Sequence, residues 1–540
     1  MRARPLGTAA TGGLAVALAL GAGVATGPVG VANAAAATGA AAAPVRLMSG
    51  EGWLNQVGST LLAPVIRGAG GDKADKADPD VGSGPAGVKL TGAGVGVALI
   101  DSGVSPVPGL NAPGKVIKGP DLSFESQAPN LRHLDTYGHG THMAGIIAGS
   151  DPASAPGATR FAGVAPGAHL VSLKVASADG ASDVSQVIAA IDWVVAHRDD
   201  KGMNIRVLNL SFGTGSTQST ALDPLAFAVE NAWSKGIVVV VSAGNDGFAA
   251  NSLTMPAADP DVIAVGAADA RGTEARADDV VADFSNRGNA GRHADVLASG
   301  RSVVSLRVPG SYVDRTYPAA RLSTTADPAQ RFIRGSGTSQ AAAVVSGAVA
   351  LLLQQRPNLS PDQVKRLLMA TAKPITGADA YAGGNGQIDV AAAAVTKKPS
   401  SAPQVNVAAT GLGSLERSRG GVHVYDPAND VELSGERDIF GRAWVAPTWA
   451  LASKTQNSWR DGSFNGTRWT GGAFGTDVSG QRTWSSVAWT GRSWAGSTWA
   501  GRSWADAQWN GRSWAGRSWA GRSWAGRSWA SADWSGAPWQ

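Results

Sequence analysis

Four residues in this sequence have types and surroundings suited to nucleophilic chemistry, and each also has a plainer reading. Asp101 ends the apolar run GVGVALID and is followed by the turn Ser102-Gly103. A carboxylate so placed lies at the carboxyl edge of a parallel sheet, where α/β folds build their sites. Its plainer reading is a turn aspartate. His139 stands between Gly138 and Gly140, just before the amphipathic run THMAGIIAG. Flanking glycines let another segment come close to the ring, although a loop histidine would look the same. Ser339 follows the turn Gly335-Ser336-Gly337-Thr338 and opens a helix of Ala, Val and Leu. It either caps that helix or serves as a nucleophile where unpaired first-turn amides and the helix dipole favour developing negative charge. Asn245 follows the buried run VVVVSAG, where its amide could donate to an oxyanion or simply turn the chain with Asp246 and Gly247. His142, one turn beyond His139, reads as a packed residue. The histidines at 133, 169, 197, 293 and 423 have no glycine frame. With no cysteine in 540 residues, a thiol nucleophile and a disulfide framework are both excluded.

The elements that must position these residues lie between 88 and 395. Short β-branched runs, HLVSLKV, IRVLNLS, GIVVVVSAG and VIAVGA, alternate there with stretches of helical spacing such as DVSQVIAAIDWVVAHR and DPLAFAVENAWSKG. Compact apolar runs bounded by Gly, Asp or Asn read as strands buried on both faces. The expected architecture is a three-layer α/β domain, a mainly parallel sheet flanked by helices.

The remaining segments have other compositions. Residues 1–34 read as an export signal, with Arg2 and Arg4, an apolar stretch from Leu14 to Val24 and a cleavage site at Ala32-Asn33-Ala34. Residues 35–87 read as a short pro-region and linker, and 396–439 as a second linker. From 440 to 540 an aromatic residue recurs at almost every fifth position, sixteen Trp with Phe464 and Phe474. Period five fits neither helix nor strand, so this region is either a β-array with two-residue turns at X-Gly or low complexity without a fold. The net charge is +5, and residues 481–540 hold seven Arg against two Asp. No compact basic run suggests nucleic acid. The mature chain is expected outside the cell, secreted or wall-associated, with no transmembrane anchor once the signal is removed, because its apolar runs are too short to span. Trp faces interleaved with Arg suit an anionic cell-wall glycopolymer.

Asp101-Ser102-Gly103, His139-Gly140-Thr141-His142 and Gly337-Thr338-Ser339, in that order, resemble the three signatures of the subtilisin-like serine proteases, or subtilases. The resemblance covers about residues 88–395. It implies a secreted serine endopeptidase acting on protein or peptide substrates, with Ser339 as nucleophile, His139 as proton carrier and Asp101 orienting His139. It implies an oxyanion hole from Asn245 and the Ser339 backbone N–H, with Ser211-Phe212-Gly213 and Ser242-Ala243-Gly244 as substrate-pocket walls. The chemistry needs no cofactor, and structural calcium is implied by the resemblance alone. The sequence departs from the family at Gln340 and Ala343, where Met and Pro are usual, and carries extra length around 268–334, expected as an insertion beside the cleft. A second reading is a catalytically inactive subtilase-like protein that binds cell wall. A third, an esterase with the same triad, fits the pocket-wall segments less well.

Overall fold

Every residue of β1 (Gly96–Asp101) is buried, as an unbroken apolar run predicts for a strand covered on both faces. The computed structural model describes residues 90–468, apart from short stretches at 128–129, 153–160, 272, 274–275, 323–326, 422 and 427–430. The export signal, the pro-region and the aromatic repeat from 469 onward lie outside the described residues. Around β1 the sheet runs in the order β2 (Val116–Asp121), β3 (His169–Lys174), β1, β4 (Ile205–Leu210), β5 (Val238–Ser242), β6 (Ile263–Asp269). All these neighbours are parallel. Beyond β6, the two-residue β7 (Val280–Val281) pairs antiparallel with it and β8 (Val296–Ser299) pairs parallel.

Helices cover both faces. On one side α1 (His139–Ala148) packs along α4 (Thr338–Gln355), which also lies on β4, β5, β6 and β8. On the other, α2 (Val184–His197) and α3 (Pro224–Ser234) pack together and against β1 and β5. In α4 the residues from Thr338 to Leu353 are all buried, which is why its sequence is apolar all round instead of striped. Each fully buried Val or Leu contributes about 1.5–3 kcal/mol, so this helix anchors the core. The outer helices are set by their caps. Asp183 accepts the Ser185 amide while Gln186 accepts the Asp183 amide at the start of α2, and Asp223 receives two amides of α3. The stretch around 268–334 includes the antiparallel pair β9 (Val303–Leu306) and β10 (Phe332–Gly335), which leads into α4.

After α5 (Pro361–Thr371) and α6 (Val390–Val395) the chain does not leave the domain. The stretch read as a linker lies on the α/β body, pinned where the fully buried Arg419 guanidinium pairs with Asp183 at 2.7 Å. A short ladder, β11 (Tyr425–Asp426) with β12 (Val431–Glu432), precedes α7 (Ala446–Lys454). The first period-five aromatics are core residues: Trp444, Trp449, Trp459 and Phe464 are all buried. Trp449 Nε1 donates to Asp192 at 3.0 Å and Trp459 Nε1 to the Ala189 carbonyl at 2.7 Å. Three two-residue strands, β13 (Trp459–Arg460), β14 (Ser463–Phe464) and β15 (Thr467–Arg468), then form a meander. Its turns are Asp461-Gly462 and Asn465-Gly466, all four residues at positive φ, the geometry of tight hairpin turns.

Candidate active site

The carboxyl ends of β1, β4 and β5, adjacent in the sheet, carry Asp101, Ser211-Phe212-Gly213 and Ser242-Ala243-Gly244. His139 opens α1. Its Nδ1 lies 2.9 Å from Asp101 Oδ1 and 3.0 Å from Oδ2, and both side chains are buried, at 1% and 0% exposure. A carboxylate at that distance assigns the proton of a neutral ring to Nδ1 and so puts the lone pair on Nε2. Gly140 makes the approach possible. A Cβ there would lie 2.2 Å from the Gly103 carbonyl and 3.0 Å from Asp101 Oδ1, so any side chain would push α1 off β1.

Sequence reading passed over the residue that secures this helix. Gly138 precedes α1 at φ 105° and offers no side-chain cap. Asp135 caps instead, accepting the Gly138 amide at 2.6 Å and the Thr141 amide at 2.7 Å. Ser102 joins the two elements, its hydroxyl 2.8 Å from Asp135 and accepting the Gly140 amide at 2.9 Å. Burial pushes the Asp135 carboxyl above its ordinary range, against the pull of these donors. An Asp three residues before an uncapped glycine helix start was the available signal. His142, by contrast, is buried, lies 3.2 Å from the Ile333 carbonyl, and is pushed down to about 3 by desolvation. It is a packed neutral residue.

Ser339 is the second residue of α4, and the preceding Gly337 provides no side-chain cap. Asn245 does: its Oδ1 accepts the Thr338 amide at 2.8 Å and the Thr338 hydroxyl at 3.0 Å, while that hydroxyl accepts the Gly244 amide at 3.2 Å. Because a backbone N–H can only donate, this contact orients the Asn245 amide with its oxygen toward Thr338. Its Nδ2 then lies 3.4 Å from where a Cβ on Gly337 would stand, beside the start of α4. The Ser339 hydroxyl is buried and makes no hydrogen bond among the described residues. Both helix starts therefore sit at the carboxyl edge of the sheet, α1 against the end of β1 and α4 against the end of β5. Ser211 Oγ reaches the Ser339 carbonyl at 3.4 Å, and Asn209 Nδ2 holds Ser211 at 3.1 Å. The side chains of Phe212 and Ala243 are wholly buried.

Residues 92–412 match the sequence model of the Subtilase family. The chain belongs to the subtilase family. It is 38% identical over 288 residues to the serine protease AprX of Bacillus subtilis, covering 52% of this chain and 62% of AprX, under two thirds of that relative's length. To subtilisin BL of Lederbergia lenta it is 34% identical over 304 residues, 56% of this chain and 92% of the relative. Subtilisin DY of Bacillus licheniformis is 35% identical over 306 residues, with coverages of 56% and 92%. Among solved structures, a cold adapted subtilisin-like serine proteinase is 28% identical, covers 56% of this chain and 90% of its own, and gives a TM-score of 0.40. The fold of this subtilase is the subtilisin-like α/β arrangement, and its family is one of serine peptidases. The family match runs past 395 into the stretch expected to be a linker.

Part of the stretch 268–334 lies beside His139. The Tyr312 amide donates to the Thr136 carbonyl at 3.0 Å and the Val313 amide to Tyr137 at 2.9 Å. The Tyr137 and Tyr312 rings stack with centroids 5.5 Å apart. The segment 311–313 thus braces the loop that leads into the histidine. Gln340, the departure next to Ser339, is buried with neither end of its amide hydrogen-bonded among the described residues. No helix among them is long and apolar enough to cross a membrane.

Proposed function

We propose that this subtilase is a secreted serine endopeptidase in which Asp101, His139 and Ser339 form the catalytic triad. The observation that carries the reading is the buried pairing of His139 Nδ1 with both Asp101 oxygens at 2.9 and 3.0 Å, on a helix packed along the one that presents Ser339. Ser339 Oγ attacks the scissile carbonyl as its proton passes to His139 Nε2. The tetrahedral oxyanion is received by the Ser339 N–H and Asn245 Nδ2. Collapse expels the amine, which takes the proton from His139, and leaves an acyl-enzyme that water hydrolyses by the same steps reversed. Asp101 keeps the ring in one tautomer and balances the imidazolium that forms.

The extended substrate pairs as an added strand with Ser211-Phe212-Gly213 and lies against Ser242-Ala243-Gly244. Export by residues 1–34 sends the enzyme outside the cell, where its substrates are proteins or peptides, and the Trp/Arg-rich region beyond 468 binds anionic wall glycopolymer. Labelling of the mature protein with a fluorophosphonate tests the central claim. The wild type is expected to label and Ser339→Ala not; a folded, pro-region-free wild type that fails to label overturns it in favour of the inactive, wall-binding reading. Hydrolysis of an internally quenched peptide blocked at both ends separates endopeptidase from exopeptidase action.

A further inference from the structure

On the face opposite α4, three carboxylates meet with no ion-pair partner among the described residues. Glu230 lies on α3, and Asp259 and Asp261 flank Pro260 just before β6; one oxygen of each lies within 4.8 Å of the others. Asp259 is 0% exposed. Its Oδ1 accepts the Asp261 amide at 2.8 Å, while Oδ2 is buried with no hydrogen-bond partner among the described residues. The nearest cations are committed elsewhere. Arg292 pairs with Asp295 at 2.8 Å and donates to the carbonyls of Ala257 and Asp259. Lys365 lies 3.4 Å from Asp295 and donates to the carbonyls of Pro260 and Val262. No ion pair among the described residues includes Glu230, Asp259 or Asp261.

Like charges this close, one of them fully buried, need either a shared proton or a cation. An irregular set of carboxylates drawn from a helix and a loop suits calcium, whose coordination is flexible, better than magnesium, which demands near-ideal octahedral geometry. All the donors are hard oxygens, which disfavours zinc. The same carboxylates hold the chain that follows α6. Both Glu230 oxygens accept the Ala409 amide, at 2.9 and 2.8 Å, Asp261 Oδ1 accepts Asn406 Nδ2 at 2.6 Å, and the Asp261 carbonyl accepts Gln404 Nε2 at 2.9 Å.

We propose that Glu230, Asp259 and Asp261 bind a calcium ion that locks segment 404–409 onto α3 and the loop before β6. The test uses full-length Ser339→Ala protein, which cannot digest itself, stripped with EDTA and titrated with calcium. Calcium is expected to raise Tm by about 5 °C and to slow cleavage by an added protease between 396 and 414. Adding Asp259→Asn, or Glu230→Gln where the first variant fails to fold, is expected to abolish both effects and to remove one calcium from the stoichiometry measured by calorimetry. A calcium shift that persists unchanged in the folded variant overturns the proposal, because the ion then binds elsewhere. Stability that ignores calcium but falls as pH rises toward 8 also overturns it, in favour of a proton shared by Glu230 and Asp259.

Discussion

The Asp135 carboxylate accepts the backbone amide of Thr141 at 2.7 Å, and so holds the first turn of the helix that carries His139. The same carboxylate takes the Gly138 amide and lies beside Ser102, whose hydroxyl receives the Gly140 amide. Removing it frees the histidine's backbone on both sides without touching the ring. A shift of about 1 Å in a reacting group can cost a hundredfold in rate. Asp135→Ala is therefore expected to lower kcat ten- to a hundredfold with KM little changed, and to slow fluorophosphonate labelling in parallel. Asp135→Asn, which keeps one acceptor, should recover part of the loss. A KM effect without a kcat effect would place Asp135 outside the positioning of His139.

Gln340 follows Ser339 with both ends of its amide buried and without hydrogen bonds among the described residues. A buried amide left unpaired costs about 1–3 kcal/mol. Methionine has nearly the same volume and length and no polar atom, so Gln340→Met is expected to stabilise the fold by about 1–2 kcal/mol. That appears as a Tm higher by a few degrees with labelling at Ser339 retained. A lower Tm would mean that the amide is satisfied in solution.

The proposed mechanism gives Asn245 two roles at the start of α4: its oxygen receives Thr338, and its nitrogen donates to the oxyanion. Asn245→Ala is expected to reduce kcat by about 10²–10³, a cost known for one oxyanion-hole donor in a subtilisin, with KM changed far less. Asn245→Asp separates the two roles. It keeps the acceptor for Thr338 but loses the donor, so steady-state kinetics should place it with Asn245→Ala; activity near wild type in Asn245→Asp would show that the oxygen contact, not the donor, is what catalysis needs.

How much of this was legible in the sequence follows from how local the cause was. Asp101 at the end of an apolar run and the glycines around His139 announce themselves within a few residues, and β1 and α1 are built where those patterns lie. Asp135 left only a local trace, an Asp three residues before a glycine helix start, because its value depends on Ser102 and the start of α1 meeting it from two directions. The course of residues 396–468 was hidden for the same reason. Polar, proline-containing sequence shows no period, and what docks it is a set of single long-range contacts, Arg419 to Asp183, Ala409 to Glu230 and Trp449 to Asp192. Trp444 and Trp449 contact each other, as do Trp459 and Phe464, yet Trp449 and Trp459 also bond to Asp192 and Ala189 of α2. Period alone cannot distinguish an aromatic that stacks on its own repeat from one that fills a groove on a neighbouring domain.

Asp192 makes that docking dependent on pH. It lies in α2, fully buried under α7, and receives Ser453 Oγ at 2.6 Å and Trp449 Nε1 at 3.0 Å. Desolvation outweighs these donors and holds its carboxyl up to about 6, whereas an unfolded Asp titrates near about 3.9. The folded protein therefore keeps a proton that the unfolded chain has released. This group's contribution is complete below about pH 4, declines as pH rises toward 6, and levels off above that, a loss on the order of 1–3 kcal/mol. Asp179, Asp259 and Asp438 are held up to about 6 by burial as well, so the informative quantity is the difference between two proteins. Asp192→Asn can still accept from Trp449 and donate to Ser453, and it carries no charge to desolvate. In the Ser339→Ala background, Tm measured from pH 4 to 7 should fall less steeply in Asp192→Asn, with the variant the more stable of the two at pH 7. Parallel curves would show that water reaches Asp192 and that α7 is not seated on it as a dry contact.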